Sequence, residues 1–214
     1  MASLKTYQLS HVPSSHVIYV GFFRGVRNAA FLREQLLSGN AEYEYAFIDA
    51  ASIVSAAHVL AAAYRALNDL LNDRLKTRNV HSEIVFSLSS NNNITESFRR
   101  FGVNETTKDL IAVKVPASTG RSQADVQNHL CDIIEGTICE FDDETLQETT
   151  DWQRVKKTYK LSALNHDSHS QKKRKGKTEE NKEPDRTSTA AADLPEKQEL
   201  EIAILGMMAL KGTT

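Results

Sequence analysis

Between Asn165 and Gln198 only Ala190, Ala191, Ala192 and Leu194 are hydrophobic, and from Leu200 to Leu210 the chain turns apolar. No other feature constrains the fold as much. A stretch this polar cannot bury enough apolar surface to offset its ordering entropy, so residues 165–198 are expected to be a disordered, charged insert. The apolar run behind it, Ile202 to Leu210, is nine residues long. A bilayer span needs about 20, so no membrane-crossing helix is expected. The run must instead return as a helix to a core made elsewhere. The expected organisation is an α/β domain over 1–164, the insert over 165–198, and a terminal helix over 199–212 that completes the domain.

The first 164 residues alternate strand and helix signals. Thr6–Leu9, Val17–Phe23, Tyr45–Ile48, Glu83–Leu88 and Leu110–Val115 read as strands, rich in β-branched and aromatic residues. Asn28–Leu37 has helical spacing and is stopped by Ser38-Gly39-Asn40. Ile53–Leu75 is the longest helical pattern, with Ile53, Ala56, Leu60, Ala63, Leu67, Leu71 and Leu75 on one stripe and Ser52 as its cap. Ile94–Phe101 reads as a short helix with an Asn93/Glu96 capping box and a Gly102 stop. Ser122 caps a helix over Gln123–Glu135, and two shorter helices lie between Asp142 and Lys157. The fold class expected is α/β, a single domain with a mixed, mostly antiparallel sheet flanked by helices.

Chemistry-bearing motifs are scarce. The chain has no Walker loop, no dinucleotide fingerprint and no kinase signature set. Cys131 and Cys139 are eight apart without a CxxC partner, and Cys131 reads as a small core residue. His166 and His169 fall in the insert, where no second shell could orient a metal. His58 and His129 lie inside helices and read as surface or satisfied core groups. No catalytic residue, metal or cofactor is expected. With two cysteines and no apolar h-region at Met1–Thr6, the expected setting is reducing, cytosol or nucleus. A net charge of −2 excludes a broadly basic nucleic-acid coat and leaves room only for a local site.

Three features rise above this background. Asn91-Asn92-Asn93-Ile94, followed by Arg99 and Arg100, offers amide groups beside a helix N-terminus, where a phosphate or a base edge could sit. The terminal helix is apolar on two stripes: Ile202, Leu205 and Ala209 on one, Ile204 and Met208 on the other. One stripe suffices for an internal core; the second suits a partner. Gly206 costs about 1 kcal/mol in a helix, which close approach of another backbone would justify. Finally, Lys172, Lys173, Arg174, Lys175 and Lys177 put five cations in six residues, a pattern suited to nuclear import or a weak phosphate tether.

These pieces together resemble a known family. Ser89-Ser90-Asn91-Asn92-Asn93-Ile94, Phe98-Arg99-Arg100-Phe101-Gly102-Val103 and Thr107–Val115 are similar to the central block of the small kinase-binding subunit of the KEOPS (EKC) complex, whose animal relative is the PRPK-binding protein. Val155–Leu161 and the ending Ile202–Gly212 extend the resemblance, and the 165–198 insert is of a kind associated with fungal members. The resemblance implies a non-catalytic partner of a small atypical kinase. It implies support for threonylcarbamoyladenosine formation in tRNA next to the anticodon, and roles in telomere maintenance and transcription in fungal relatives. Archaeal members hold the tRNA 3′ end, which would place that contact at Asn91, Asn92, Asn93, Ile94, Arg99 and Arg100. Kinase contact would fall on Ile202, Ile204, Leu205, Met208 and Ala209. Nucleus and cytoplasm are the expected locations, with telomeric chromatin as a further site. The competing reading is an independent enzyme or nucleotide binder that uses the Asn91–Asn93 loop as a phosphate site.

Overall fold

The β-branched and aromatic run near residue 20 becomes the central strand. The computed structural model describes residues 2–116, 122–161 and 189–212. Strand β2 (Ile18–Arg24) pairs along one side with β4 (Leu110–Lys114), and β3 (Ala46–Asp49) pairs with β4 beyond it. On its other side β2 pairs first with β1 (Lys5–Tyr7) and then with β5 (Thr137–Cys139). Every one of these pairings is antiparallel. The protein is thus a single mixed α/β domain on an antiparallel sheet. Strand β5 had no sequence expectation; three residues are too few to show a period.

Alternation along the strands sends side chains into two cores. Ile18, Val20 and Phe22 of β2, Ala46 and Ile48 of β3, and Ile111 and Val113 of β4 face one core. Phe23, Phe47, Leu110 and Ala112 face the other. Gly21 is required by close approach: a Cβ there would lie 2.5 Å from Leu4 Cδ2. Helices α1 (Ala29–Ser38) and α5 (Gln123–Ile133) cover the second core. Helices α2 (Ala56–Leu71), α3 (Val80–Ser87), α4 (Ile94–Phe101), α6 (Asp143–Thr149), α7 (Trp152–Thr158) and α8 (Thr189–Ala209) cover the first.

Several expectations are corrected. Residues 83–88 form no strand: 83–87 belong to helix α3, in which Val80, His81, Glu83, Ile84, Val85, Phe86 and Ser87 are all buried, and Leu88 is its C-cap. A short helix buried on nearly every side shows no amphipathic period, so its apolar run Ile84-Val85-Phe86 reads like a buried strand. Asn79 caps it through Oδ1, which accepts from Ser82 N at 2.8 Å. The Glu83 carboxylate accepts from Lys76 N, Thr77 N and Thr77 Oγ1, which folds the preceding turn back onto the helix. Helix α2 is capped by Ser55, whose Oγ accepts from His58 N; Ser52 instead donates to Arg100 O. The buried face of α2 is Val59, Ala62, Ala63, Ala66 and Leu67, rotated from the expected stripe, because its alanines pack directly against α3 and α8. Cys131 is exposed rather than core.

Helix α8 begins at Thr189, ten residues before its expected start. Ala190–Ala192 are strong helix formers, and tertiary contacts hold the following turn: Lys156 Nζ pairs with Glu196 Oε1 at 2.7 Å, and Lys197 Nζ lies 5.3 Å from the Trp152 ring centroid. Residues 165–188 of the expected insert, with Lys172–Lys177, His166 and His169, lie outside the described residues.

The node that fixes α7 is buried and polar. Tyr159 Oη donates to Leu88 O at 2.6 Å and sits 2.8 Å from His58 Nε2. His58 Nδ1 accepts from Val54 N, so Nε2 carries the proton and donates to the phenol oxygen. Burial holds His58 near a pKa of about 3, which keeps it neutral. The histidine is a satisfied core group, one of the two alternatives its sequence position left open.

Candidate functional site

The loop from Ser89 to Asn93 is built by a ladder of short side-chain to backbone bonds. Ser89 Oγ accepts from Asn91 N, Asn91 Oδ1 from Asn93 N, and Asn93 Oδ1 from Glu96 N. The first two are local turn closures and the third is the N-cap of α4. The expected capping box is only half made. The Glu96 carboxylate does not return to Asn93 N; it accepts two bonds from Arg99 and one from Arg100. Those bonds, Arg99 first, hold the Glu96 carboxyl down to about 2. Arg100 also donates to Thr158 O, tying α4 to α7. It is a clasp within the domain, whereas Arg99 points outward with its side chain 70% exposed. Of the three asparagines, Asn91 and Asn93 are structural. Asn92 alone has no side-chain hydrogen bond among the described residues. Ile94 opens α4 and is 39% exposed.

Helix α8 settles which of its stripes faces inward. Leu200, Ile204 and Met208 are buried in the first core, each worth ~1.5–3 kcal/mol in apolar burial. Ile204 and Met208, expected on a partner surface, therefore do not reach it. Ile202, Gly206 and Ala209 are exposed on the opposite face, Leu205 is half-buried at its edge, and Leu210 lies just beyond. Ile202 is 71% exposed and Leu210 65%. A Cβ at Gly206 would meet nothing within 4 Å, so nothing among the described residues needs the glycine.

The C-terminal end of α8 is fastened from α2 and α3. Arg65 donates to Met208 O at 2.7 Å and to Lys211 O, satisfying carbonyls that a helix end leaves unpaired. Lys211 is 3% exposed; its Nζ donates to Phe86 O and lies over the Phe86 ring. Burial, reinforced by the nearby Arg65 charge, lowers its pKa to about 7. Gly212 follows in the left-handed region at φ 84°. A Cβ on it would sit 3.8 Å from Arg65 Nη2, 3.9 Å from Lys76 Nζ and 4.0 Å from Asn92 Oδ1. The fold thus brings the asparagine loop and the chain's apolar ending to one place, with cations from α2 and the α2–α3 turn between them. Arg65, Lys76 and Lys211 carried no signal in the sequence, because single cations on helices and turns are ordinary.

Comparison with known proteins now decides the family. The family model described as Kinase binding protein CGI-121 matches residues 23–212. This chain belongs to the CGI-121 kinase-binding family. An "EKC/KEOPS complex subunit cgi121" of Aspergillus terreus is 46% identical over 218 residues, covering 100% of this chain and 99% of that protein. The Coccidioides immitis subunit is 42% identical over 214 residues, with 100% of both chains covered. That of Schizosaccharomyces pombe is 37% identical over 144 residues, covering 67% of this chain and 82% of the relative. Among the described residues no group of three or more His, Cys, Asp and Glu side chains could hold a metal, and no helix is long and apolar enough to cross a membrane.

The Lys211 fastening has a pH signature. The group's pKa is about 7 when folded and near 10.5 when free. Between those values the unfolded chain binds more protons, so stability rises with pH. Chemical denaturation should show the protein more stable at pH 9 than at pH 7, with the gain absent in Lys211→Met. An identical gain in both proteins would mean Lys211 is not the titrating group.

Proposed function

We propose that this chain is a non-catalytic subunit of an EKC/KEOPS complex that docks the complex's small atypical kinase on the outward face of α8. The observation that carries the reading is that face itself. Ile202, Leu205, Gly206 and Ala209 fall at i, i+3, i+4 and i+7, apolar and, among the described residues, outside the core, and Gly206 keeps a helix penalty that no described contact offsets. The family name and the relatives' names support a kinase partner and a KEOPS setting. In this setting the chain supports threonylcarbamoyladenosine formation in tRNA, with the telomere and transcription roles of fungal relatives as further outputs.

A second contact belongs to the same reading. Asn92, with its uncommitted amide, the half-exposed Ile94 and the outward Arg99 form a small polar and apolar shelf suited to a single-stranded tRNA 3′ end. Lys76, beside Asn92, adds a cation for the phosphate backbone. Arg100, Asn91 and Asn93 support this shelf rather than line it. Import through Lys172–Lys177 completes the reading, with nucleus and cytoplasm as locations.

The expected outcomes are specific. Ile202→Arg should leave a folded monomer with kinase affinity reduced at least tenfold by calorimetry, whereas Ile204→Arg should unfold the chain by placing an unpaired charge in the core. Undiminished kinase binding by Ile202→Arg would move the docking surface off α8. For RNA, Asn92→Ala with Ile94→Ala should weaken binding of intact tRNA by the assembled complex and leave tRNA lacking its terminal bases unaffected. Equal loss for both RNAs would argue against 3′-end recognition. Replacing the five cations of Lys172–Lys177 by glutamine should shift a tagged chain to the cytoplasm at unchanged melting temperature; an unaltered distribution would remove the import role.

A further inference from the structure

A groove of about 860 Å³ opens between α1, β3, α3 and α4, on the side of Ile94 away from the core. Its floor is apolar: Leu36, Phe47, Val85, Phe98 and Val103 line it. The volume is in the range of small-molecule sites, which are apolar with a few fixed polar groups. The rim carries charge, but most of it is already committed. Arg33 pairs with Glu105 at 3.3 Å, Arg99 with Glu96, and Asn79 Nδ2 donates to Glu44 Oε1 at 2.6 Å.

Arg78 is the exception. It lines the groove, is exposed, and has no hydrogen bond or ion pair among the described residues. It lies against the end of α1. Gly39 closes that helix in the left-handed region, and a Cβ there would stand 2.6 Å from Arg78 Nη1. The left-handed conformation favours glycine there, and its bare Cα lets the guanidinium lie close. Among the described residues this leaves one uncommitted cation at the edge of an apolar trough.

We propose that this groove binds a small amphipathic monoanion, an aromatic or acyl carboxylate, with its apolar body on Phe47, Val85, Phe98 and Val103 and its carboxylate on Arg78. The number of free charges selects this class. Nucleic-acid strands are held by several cations along successive phosphates, and the groove offers one. A neutral apolar ligand would leave the guanidinium unused, whereas a planar carboxylate can take two parallel N–H bonds from it. The groove shares Ile94 and Arg99 with the proposed RNA shelf and extends from them to Arg78, away from Asn92.

The test uses a matched pair, naphthalene-1-acetate and naphthalene-1-acetamide, equal in shape and different in charge. Titrated into the full ¹⁵N-labelled chain, the acid should give saturable amide shifts centred on Ser82, Val85 and Val103, with a Kd at least fivefold below that of the amide. Arg78→Gln should bring the two within twofold at an unchanged melting temperature. Ser82→Phe, which narrows the groove, should lose both. The proposal is overturned if neither ligand saturates, if wild type binds them equally, or if Arg78→Gln keeps the preference. It is also overturned if a short single-stranded RNA displaces the acid competitively and Arg78→Gln weakens that RNA as much as it weakens the acid, because the groove would then belong to the RNA contact.

Discussion

The Tyr159 hydroxyl is the point on which the functional half of the molecule hangs. It donates to the Leu88 carbonyl, where α3 ends and the asparagine loop begins, and accepts from His58 on α2. One buried phenol therefore holds α2, the loop entry and the end of α7 in a fixed relation. Removing it would leave two polar groups buried without partners, at ~1–3 kcal/mol for each. Beside it, Arg154 bonds the buried Asp49 and the Arg100 carbonyl, and Arg100 returns to Thr158 O. Helix α7 is short, with seven residues, so its position depends on these bonds more than on its own apolar face. The loop it supports inherits that rigidity.

From that frame the terminal helix takes its meaning. Its inner stripe joins the core that β2, β3 and β4 begin, and its last carbonyls are satisfied by Arg65 from α2. A cation placed there also suits the negative end of the helix dipole. Lys211 goes further and enters the interior, where the Phe86 carbonyl and ring face it. The outer stripe is left with apolar side chains and a glycine that no contact among the described residues explains. One helix is thereby a core element on one side and an exposed apolar surface on the other, and its tip reaches the asparagine loop. Kinase contact and RNA contact, as proposed, would lie on adjoining parts of one structure.

Much of this was legible in the residues. The alternation of Ile18, Val20 and Phe22, the Asn93 and Ser122 caps, and the two stripes of the terminal helix follow from periods and local bonds that neighbouring residues set by themselves. Helix α3 was not legible, because burial on every side erases the period that distinguishes helix from strand. The first turns of α8 were missed for the opposite reason. Ala190, Ala191, Ala192 and Leu194 mark no stripe among their polar neighbours, and contacts to Lys156 and Trp152 hold the following turn.

The sequence by itself determined that one α/β domain forms, that an asparagine loop caps a short helix, and that the chain ends in a helix with more apolar surface than one core needs. These are local matters of spacing and capping, decided within a turn or two. Only the tertiary structure decided which asparagine is uncommitted among the described residues, which stripe of α8 is buried, that Arg100 clasps α7 while Arg99 points outward, and that Arg78 has no described partner at the groove. Each of those depends on what residues far along the chain have already bonded, and a hydrogen-bond partner or a buried face is allotted only when the elements meet.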